Sequence, residues 1–387
     1  MLLLSGLILV ISVIFGVVYA STEVTGIISS DTTWTKANSP YSLTGPLLVN
    51  EGVTLTIETG TTVDINGYYI LVNGTLFARG SIGDVIQFNN GKIRFSDSSI
   101  DWNEQTGSGG IIENAVLNNM LITMNVASPL IMGNSINGSI EGQYCSSVIS
   151  SNIMNGEIDF SSAASCIISN NTITHADKAI TLRASSNQAI LSGNNISYCQ
   201  TGISVTSHGT VIDTTISNCN TGISIGYYKN PTIERNLITD NTVGVHIYRN
   251  ALLAQGTPVV RNNTITKNSL GVSIEHFQSQ DYVVAAKFEY NNIYGNDYNL
   301  KSTVSNTIDA TYNWWGTTDT ESINQTINDV TLDFTGGTVN FVPFLTEPNT
   351  EAMPIPEFTS WIILPLLMMV TLLVIVFKKK VFRSIQD

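Results

Sequence analysis

Eight side chains able to bind or transform a sugar lie one to five residues after an apolar position that recurs as Ile203, Ile223, Val245 and Val272. They are His208, Tyr227, Tyr228, His246, Tyr248, Arg249, Glu275 and His276. Aromatic rings stack on sugar rings, and basic groups bind uronate carboxylates. If the apolar positions are stacked, one outward face collects these side chains, and we predict a glycan-binding face there. The alternative is a strand edge that large residues simply cover.

Cleavage of a bound polysaccharide is a second alternative, for which the sequence offers few groups. A β-eliminating lyase needs a basic proton acceptor and a group that neutralises the substrate's charge, and the candidates are His246, Tyr248 and Arg249. A glycoside hydrolase needs two carboxyl groups, and Glu275 has Asp281 as its one carboxylate neighbour in sequence. No catalytic residue is therefore assigned.

Charge and motif content exclude several function classes. The formal net charge of -13 argues against nucleic acid as a partner. The sequence contains no CxxC spacing and no HExxH motif, and its four histidines do not occupy one position of the repeat. We predict no metal site and no cofactor, apart from weak Ca²⁺ binding by scattered acidic side chains.

A repeat of about 20 residues carries the candidate groups. Aligned on the apolar residue after an asparagine turn, its copies are anchored at Val116, Ile136, Ile153, Ile173, Ile196, Ile216, Ile238, Ile265 and Ile293. Apolar residues also recur five residues before and seven residues after most anchors. These runs are short and β-branched, so they predict strands rather than helices. Successive three-strand coils then stack as an all-β solenoid of parallel sheets.

Asparagines mark one corner of each coil, two residues before the anchor. They are Asn114, Asn134, Asn171, Asn194, Asn236, Asn263 and Asn291, with Ser151 and Thr214 in the remaining copies. Stacked amides can hydrogen-bond from coil to coil, and asparagine tolerates the left-handed backbone of a tight corner. We interpret these asparagines as a structural ladder.

Three stretches carry a resemblance to a known family: the "NNTIT" turns, "VNEGVTLTIETGTTVDINGYYILVNGTLFARG" at 49–80 and "DATYNWWG" at 309–316. They resemble right-handed parallel β-helix proteins, the superfamily of pectate-lyase-like enzymes and NosD-like periplasmic proteins. The resemblance covers residues 24–345 and implies a right-handed parallel β-helix. It does not imply one function, because the same scaffold carries lyases, hydrolases, adhesins and inert stalks. Copper handling of the NosD type is discounted, because no His or Met cluster is present.

The two ends of the chain predict export and membrane anchoring. Residues 1–20 read as a signal peptide, and residues 359–377 as one transmembrane helix followed by a basic cytoplasmic tail, 378–387. Between them we predict an N-terminal cap with the first coils (21–110), regular coils (111–305), a C-terminal capping segment (306–345) and a linker (346–358). This order predicts a cell-surface protein.

Cys199 and Cys219 occupy the same position in adjacent repeats, three residues after their anchors. Stacking would bring them within the Cα distance that a disulfide allows, so a bridge between them is predicted as possible. The alternative is a column of small buried thiols.

The tripeptide "PEF" at 356–358 precedes the apolar segment and is similar to the PEF-type sorting signals of archaeal surface proteins. That resemblance implies a sortase-like processing enzyme as partner, and the alternative is a helix that stays as a permanent anchor. Taken together, the sequence predicts a membrane-anchored cell-surface β-helix protein with a structural or glycan-binding role. The alternative function is that of an extracellular polysaccharide lyase or glycoside hydrolase.

Overall fold

The structure is a computed structural model that describes residues 21–162, 165–183, 189–226, 230–249, 256–276, 284–329 and 337–352. The chain divides into two compact units, Met1–Ile140 and Glu141–Asp387. The predicted signal peptide (1–20) and transmembrane helix (359–377) lie outside the described residues. Within the described part, no helix is long and apolar enough to cross a membrane.

The first unit consists of parallel strands in two sheets. One sheet contains β1 (Thr22–Ile28), β3 (Tyr41–Val49), β5 (Thr62–Asp64), β6 (Tyr69–Val72), β8 (Ile86–Phe95) and β10 (Ala115–Asn125), and the other contains β2 (Thr32–Trp34), β4 (Thr54–Ile57), β7 (Thr75–Arg79), β9 (Ile111–Glu113) and β11 (Leu130–Met132). A 3-10 turn, Lys36–Asn38, follows β2. The buried rings of Trp34 and Tyr41 stack at 4.6 Å at the start of the unit, where the sequence predicts the N-terminal cap.

Strand β12 (Ser135–Gln143) contains the division, and the second unit repeats a three-strand coil. The entry strands are β13 (Val148–Ser150), β16 (Ile167–Ser169), β19 (Ala189–Ser192), β22 (Gly209–Ile212), β25 (Thr232–Glu234), β28 (Val259–Arg261), β31 (Lys287–Glu289) and β34 (Ile308–Asp309). The middle strands are β14 (Ile153–Asn155), β17 (Thr172–Thr174), β20 (Asn195–Ser197), β23 (Thr215–Ser217), β26 (Leu237–Thr239), β29 (Thr264–Thr266) and β32 (Asn292–Tyr294). The long strands are β15 (Ile158–Ser161), β18 (Lys178–Arg183), β21 (Thr201–Val205), β24 (Thr221–Gly226), β27 (Val243–Arg249), β30 (Leu270–His276) and β33 (Tyr298–Ser302).

Each strand of this unit pairs in parallel with its counterpart in the next coil. Ile196 pairs with Ile216, for example, and Ile216 with Ile238. In the middle strands β20, β23 and β26 the central isoleucine is fully buried while its neighbours face outward, so the side chains alternate as a pleated strand requires. The fold is therefore the parallel all-β solenoid that the apolar columns predict.

Glycines allow the coils to approach closely where the long strands begin. Gly202, Gly222, Gly244 and Gly271 occupy one column, and a Cβ atom on any of them would lie 2.6 Å from the carbonyl oxygen of the next coil. No side chain fits at that distance, so the column requires glycine.

The asparagine ladder of the second unit is continuous and buried. Asn236 illustrates the pattern: its Oδ1 accepts from the Thr214 N–H at 3.0 Å, and its Nδ2 donates to Val211 O and to Asn263 Oδ1, both at 2.9 Å. Asn171, Asn194, Asn263 and Asn291 bond in the same way. Each amide thereby joins neighbouring coils.

The predicted ladder is shifted by one residue in two coils. In the first unit, the Ala115 N–H donates to Asn134 Oδ1, so Ala115 stands at the ladder position and Asn114 precedes it at φ 49°. The reason is that Leu117, not the predicted anchor Val116, is fully buried. In the second unit the ladder begins at Asn152 rather than Ser151, because the buried anchor is Met154. Asn313 is a further ladder member.

A short helix and two short strands follow the last full coil. The helix α1 (Thr320–Gln325) is capped by Asp319, whose carboxylate accepts from the Ser322 N–H at 3.0 Å. Ile323 is the buried residue of this helix. The strands β35 (Ile327–Asn328) and β36 (Val339–Asn340) pair in parallel with β33 and β34.

The segment after this region packs on the side of the coils, although the sequence predicts a linker there. A 3-10 turn spans Thr350–Ala352. Asn349 bonds with Asn292 at 2.8 and 2.9 Å and donates to Asn262 Oδ1 at 3.1 Å, and Thr264 Oγ1 donates to Ala352 O at 2.7 Å. These bonds fix residues 349–352 against the middle strands.

Candidate glycan-binding face

Four long strands place polar side chains side by side on the outside of the second unit. Register pairs Ser224 with His246, His246 with Ser273 and Ser273 with Lys301, which makes one row across β24, β27, β30 and β33. A second row, two residues further along, contains Gly226, Tyr248 and Glu275. The residues between the rows, Ile225, Ile247 and Ile274, are fully buried, so both rows lie on the outer side of the sheet, where Ser273 and Gly226 are themselves covered by their neighbours.

A polar contact between His246 and Glu275 joins the two rows. His246 Nε2 lies 3.5 Å from Glu275 Oε2, and Ser273 Oγ donates to Glu275 Oε1 at 2.6 Å. The contact with His246 is the main reason that the pKa of Glu275 falls to about 2, and the Ser273 hydroxyl and the charge of Lys301 act in the same direction, while burial opposes them. Glu275 is therefore a carboxylate at every ordinary pH.

This electrostatic arrangement bears on the chemistry that the face can perform. A general acid of a glycoside hydrolase needs a raised pKa, whereas that of Glu275 is lowered. The Nε2 atom of His246 is covered, although the side chain as a whole is 29% exposed. A substrate proton cannot reach that nitrogen in this arrangement, so the geometry suits binding better than proton transfer.

Tyr248 lies beside His246 and over the preceding coil. The two ring centroids are 5.3 Å apart with an interplanar angle of 32°. A Cβ atom on Gly226 would approach the Tyr248 hydroxyl oxygen to 3.1 Å, so the phenol occupies the space that this glycine leaves. The half-buried ring is thus held on the sheet, where it can stack on a flat apolar ligand surface.

The other predicted residues of the face have different positions. Arg249 and His276 are paired in register on β27 and β30, next to the two rows, and their side chains are outside the described part of the structure. Tyr227, Tyr228 and Asp281 also lie outside the described residues. His208 lies in the turn before β22, where its Nδ1 accepts from the Asn230 N–H at 3.4 Å. It is not on the long strands.

Three residues of the first row were not predicted from the sequence: Ser224, Ser273 and Lys301. Lys301 follows Leu300 by one residue, just as His246 follows Val245, and both apolar residues are fully buried. Counting the same offset in every coil identifies all three.

Within the residues that the structure describes, no group of three His, Cys, Asp or Glu side chains is arranged to hold a metal ion. Cys199 and Cys219 are buried thiols in adjacent coils, at the positions that the predicted bridge requires. A bridge between them stays a prediction.

Comparison with known proteins identifies the fold. The family described as a right handed beta helix region matches residues 157–327. The crystal structure of the periplasmic alginate epimerase AlgG is similar at 14% sequence identity and a TM-score of 0.38, covering 62% of this chain and 76% of that chain. A double mutant of the epimerase gives 14% identity and a TM-score of 0.36, covering 66% of this chain and 84% of the other. No curated protein matches the sequence. The match of residues 157–327 to this family agrees with the parallel β-solenoid that the stacked strands of the second unit form.

Proposed function

We propose that the protein binds an extended polysaccharide on the outer face of β24, β27, β30 and β33, and that it does so as a structural or adhesive component of the cell surface. The observation that carries the proposal is the pair of outward rows, Ser224–His246–Ser273–Lys301 and Gly226–Tyr248–Glu275. Four coils contribute to one polar surface that the fold itself does not require.

The spacing of the rows favours a repeating ligand. Neighbouring coils are about 4.8 Å apart, so the Ser224 hydroxyl, the His246 imidazole and the Lys301 ammonium group lie on successive or alternate coils along the solenoid. An extended chain of sugars offers hydroxyl groups along its length, whereas a compact ligand would meet one or two coils. The Tyr248 ring supplies an apolar surface for one sugar face.

The charges favour an acidic sugar. His246 and Ser273 contact Glu275 directly, whereas Lys301 acts on Glu275 through its charge, which makes the ammonium group of Lys301 the candidate partner of a uronate carboxylate. Arg249, paired with His276 at the edge of the rows, is the second candidate for that role.

Cleavage of the same ligand is the second candidate function. The candidates for elimination from a uronate are His246 and Tyr248, whose ring centroids are 5.3 Å apart, and the covered Nε2 atom of His246 makes this function the less supported one. Hydrolysis has less support, because Glu275 is held ionised and the groups that act on it are His246, Ser273 and Lys301, not a second carboxylate.

The cellular setting rests on the sequence. The apolar segment 359–377 and its basic flank support a membrane anchor, and residues 1–20 support export. Processing near Pro356 by a sortase-like enzyme is the alternative to permanent anchoring. Peptides containing Ser384–Asp387 in the mature protein would contradict processing.

Binding to immobilised polyuronate and to an uncharged polysaccharide tests the proposal. We expect Tyr248→Ala to weaken binding about tenfold on both, which corresponds to about 1.4 kcal/mol. We expect Lys301→Met to weaken polyuronate binding selectively. The matched controls are Tyr294→Ala on the middle strand β32 and Lys287→Met on the entry strand β31.

Two outcomes would contradict the proposal: no binding by the unaltered protein, or equal losses in the control variants. Release of unsaturated uronate ends, followed by ultraviolet absorbance, would instead select the lyase. A bound chain recovered intact selects the adhesive role.

A further inference from the structure

Cys199 and Cys219 occupy one column, in the turn that joins a middle strand to a long strand. The pairs Ser197–Ser217 before them and Thr201–Thr221 after them are both in register, so the cysteines face each other across adjacent coils. In the next three coils the same column holds Asn241, Asn268 and Asn296, which form a second amide ladder. A coil spacing of about 4.8 Å lies within the Cα separation that a disulfide allows.

The surroundings of the two sulfur atoms are unequal. The Cys199 thiol donates to Ser197 O and the Cys219 thiol donates to Ser217 O, both at 3.3 Å, and the Cys219 thiol and the backbone N–H groups of Ala176 and His175 lie beside the Cys199 sulfur. These neighbours, the Cys219 thiol first, lower the pKa of Cys199 to about 7 although burial opposes them. The pKa of Cys219 is raised, because the Cys199 sulfur lies beside it and because the thiol is buried.

Both thiols lie just beneath the surface. Cys199 is 5% exposed and Cys219 is 3% exposed. Their sequence neighbours are exposed, namely Tyr198, Gln200, Asn218 and Asn220.

We propose that Cys199 and Cys219 form a reactive dithiol that exchanges with small disulfides, with Cys199 as the attacking thiolate and Cys219 as the resolving thiol. The Cys199 sulfur attacks one sulfur of a small disulfide, forms a mixed disulfide and expels one thiolate. Cys219 then loses its proton to solvent and attacks the Cys199 sulfur, which closes the protein disulfide and expels the second thiolate. Two protein thiols are oxidised, and one small disulfide is reduced to two thiols.

The chain contains its own control pair. Cys145 and Cys166 are also buried thiols, but burial and the charge of Cys145 raise the pKa of Cys166 to about 12. Their register differs as well, because Val148 pairs with Ile167 and Cys166 therefore lies opposite Ser147. This pair should be inert toward exchange.

Stoichiometric reaction of the full chain with dithiodipyridine tests the proposal, because the released pyridinethione is coloured. At pH 7 we expect a fast phase releasing two equivalents per chain, at least about a hundredfold faster than reaction of Cys166. Cys219→Ser should release one fast equivalent and retain a mixed disulfide, and Cys199→Ser should lose the fast phase. Cys145→Ser and Cys166→Ser should keep both equivalents. The rate of the fast phase should fall as the pH drops below about 7.

Peptide mapping of the unaltered protein after the fast phase keeps the test independent of variant folding. A Cys199–Cys219 bridge supports the proposal. A bridge to Cys145 or Cys166, a fast phase that survives Cys199→Ser, or equal slow reaction of all four thiols would overturn it.

Discussion

Replacement of Asn236 by leucine should destabilise the solenoid strongly, because the side chain is fully buried and makes three ladder bonds. Leucine removes the acceptor of the Thr214 N–H and the donors to Val211 O and Asn263 Oδ1. The Thr214 N–H is left buried without a partner, which costs about 1–3 kcal/mol, and each of the other two lost bonds costs about 1 kcal/mol. The expected loss is therefore roughly 3–5 kcal/mol.

Urea unfolding of the full chain, followed by circular dichroism, measures this loss as a shift of the midpoint at constant slope. The matched control is Asn195→Leu, an exposed outward asparagine next to the ladder residue Asn194, which should change stability by less than about 0.5 kcal/mol. Equal midpoints for the two variants would refute the ladder as a source of stability. A changed dependence of the free energy of unfolding on urea concentration would show that unfolding is no longer a single transition. The stabilities of the two variants would then be compared by hydrogen exchange in the second unit.

Four further predictions follow from individual contacts. Thr214→Asn should stabilise the fold by about 1 kcal/mol, because the bond from the Asn194 N–H to Thr214 Oγ1 is long, at 3.4 Å, and an amide would shorten it; an unchanged urea midpoint would contradict this. Gly244→Ala should destabilise the fold by about 2 kcal/mol or more, because the new Cβ atom would lie 2.6 Å from Gly271 O. The control is Gly67→Ala, whose new Cβ atom would have no neighbour within 4 Å, so that only the backbone strain at its φ of 82° would destabilise the fold. The lowered pKa of Glu275 stabilises the fold above pH 4.5, the ordinary pKa of a glutamate, and this stabilisation is lost as the pH falls toward about 2. Glu275→Gln should therefore flatten the pH dependence of the urea midpoint between these two values. If the midpoints of the variant and of the unaltered protein changed with pH in parallel, the contact between His246 and Glu275 would not stabilise the fold. Asn292→Ala should free the backbone of Asn349, because the Asn292 amide accepts from the Asn349 N–H and donates to Asn349 O; hydrogen exchange at Asn349 should become faster, while Asn340→Ala should leave it unchanged.

The register of the long strands could be predicted by counting, because β-branched residues and a glycine column leave one way to align them. Val245 pairs with Val272, and Arg249 with His276, as the repeat implies. The anchors at Val116 and Ile153 were misplaced by one residue for a physical reason. Each has a second apolar neighbour, Leu117 or Met154, so the period of two does not determine which one points inward.

The remaining differences arise where the repeat ends. His208 lies in the turn between β21, which ends at Val205, and the entry strand β22. Because the backbone leaves the long strand in this turn, counting residues from Ile203 no longer predicts where the His208 side chain points. The packing of residues 349–352 depends on side-chain amides of Asn262 and Asn292. Such long-range polar contacts have no periodic signature in the sequence.

Hydroxyl-radical footprinting with and without oligouronate tests the central claim, the location of the glycan-binding face, most directly. Bound ligand is predicted to protect Tyr248 and His246 from oxidation, because both side chains stand on the outward rows. The stacked pair Tyr290 and Tyr312, which lies at a corner of the coils, serves as the internal reference and should be oxidised equally in both samples. Protection of Tyr290 and Tyr312 with unchanged oxidation of Tyr248 would contradict the account.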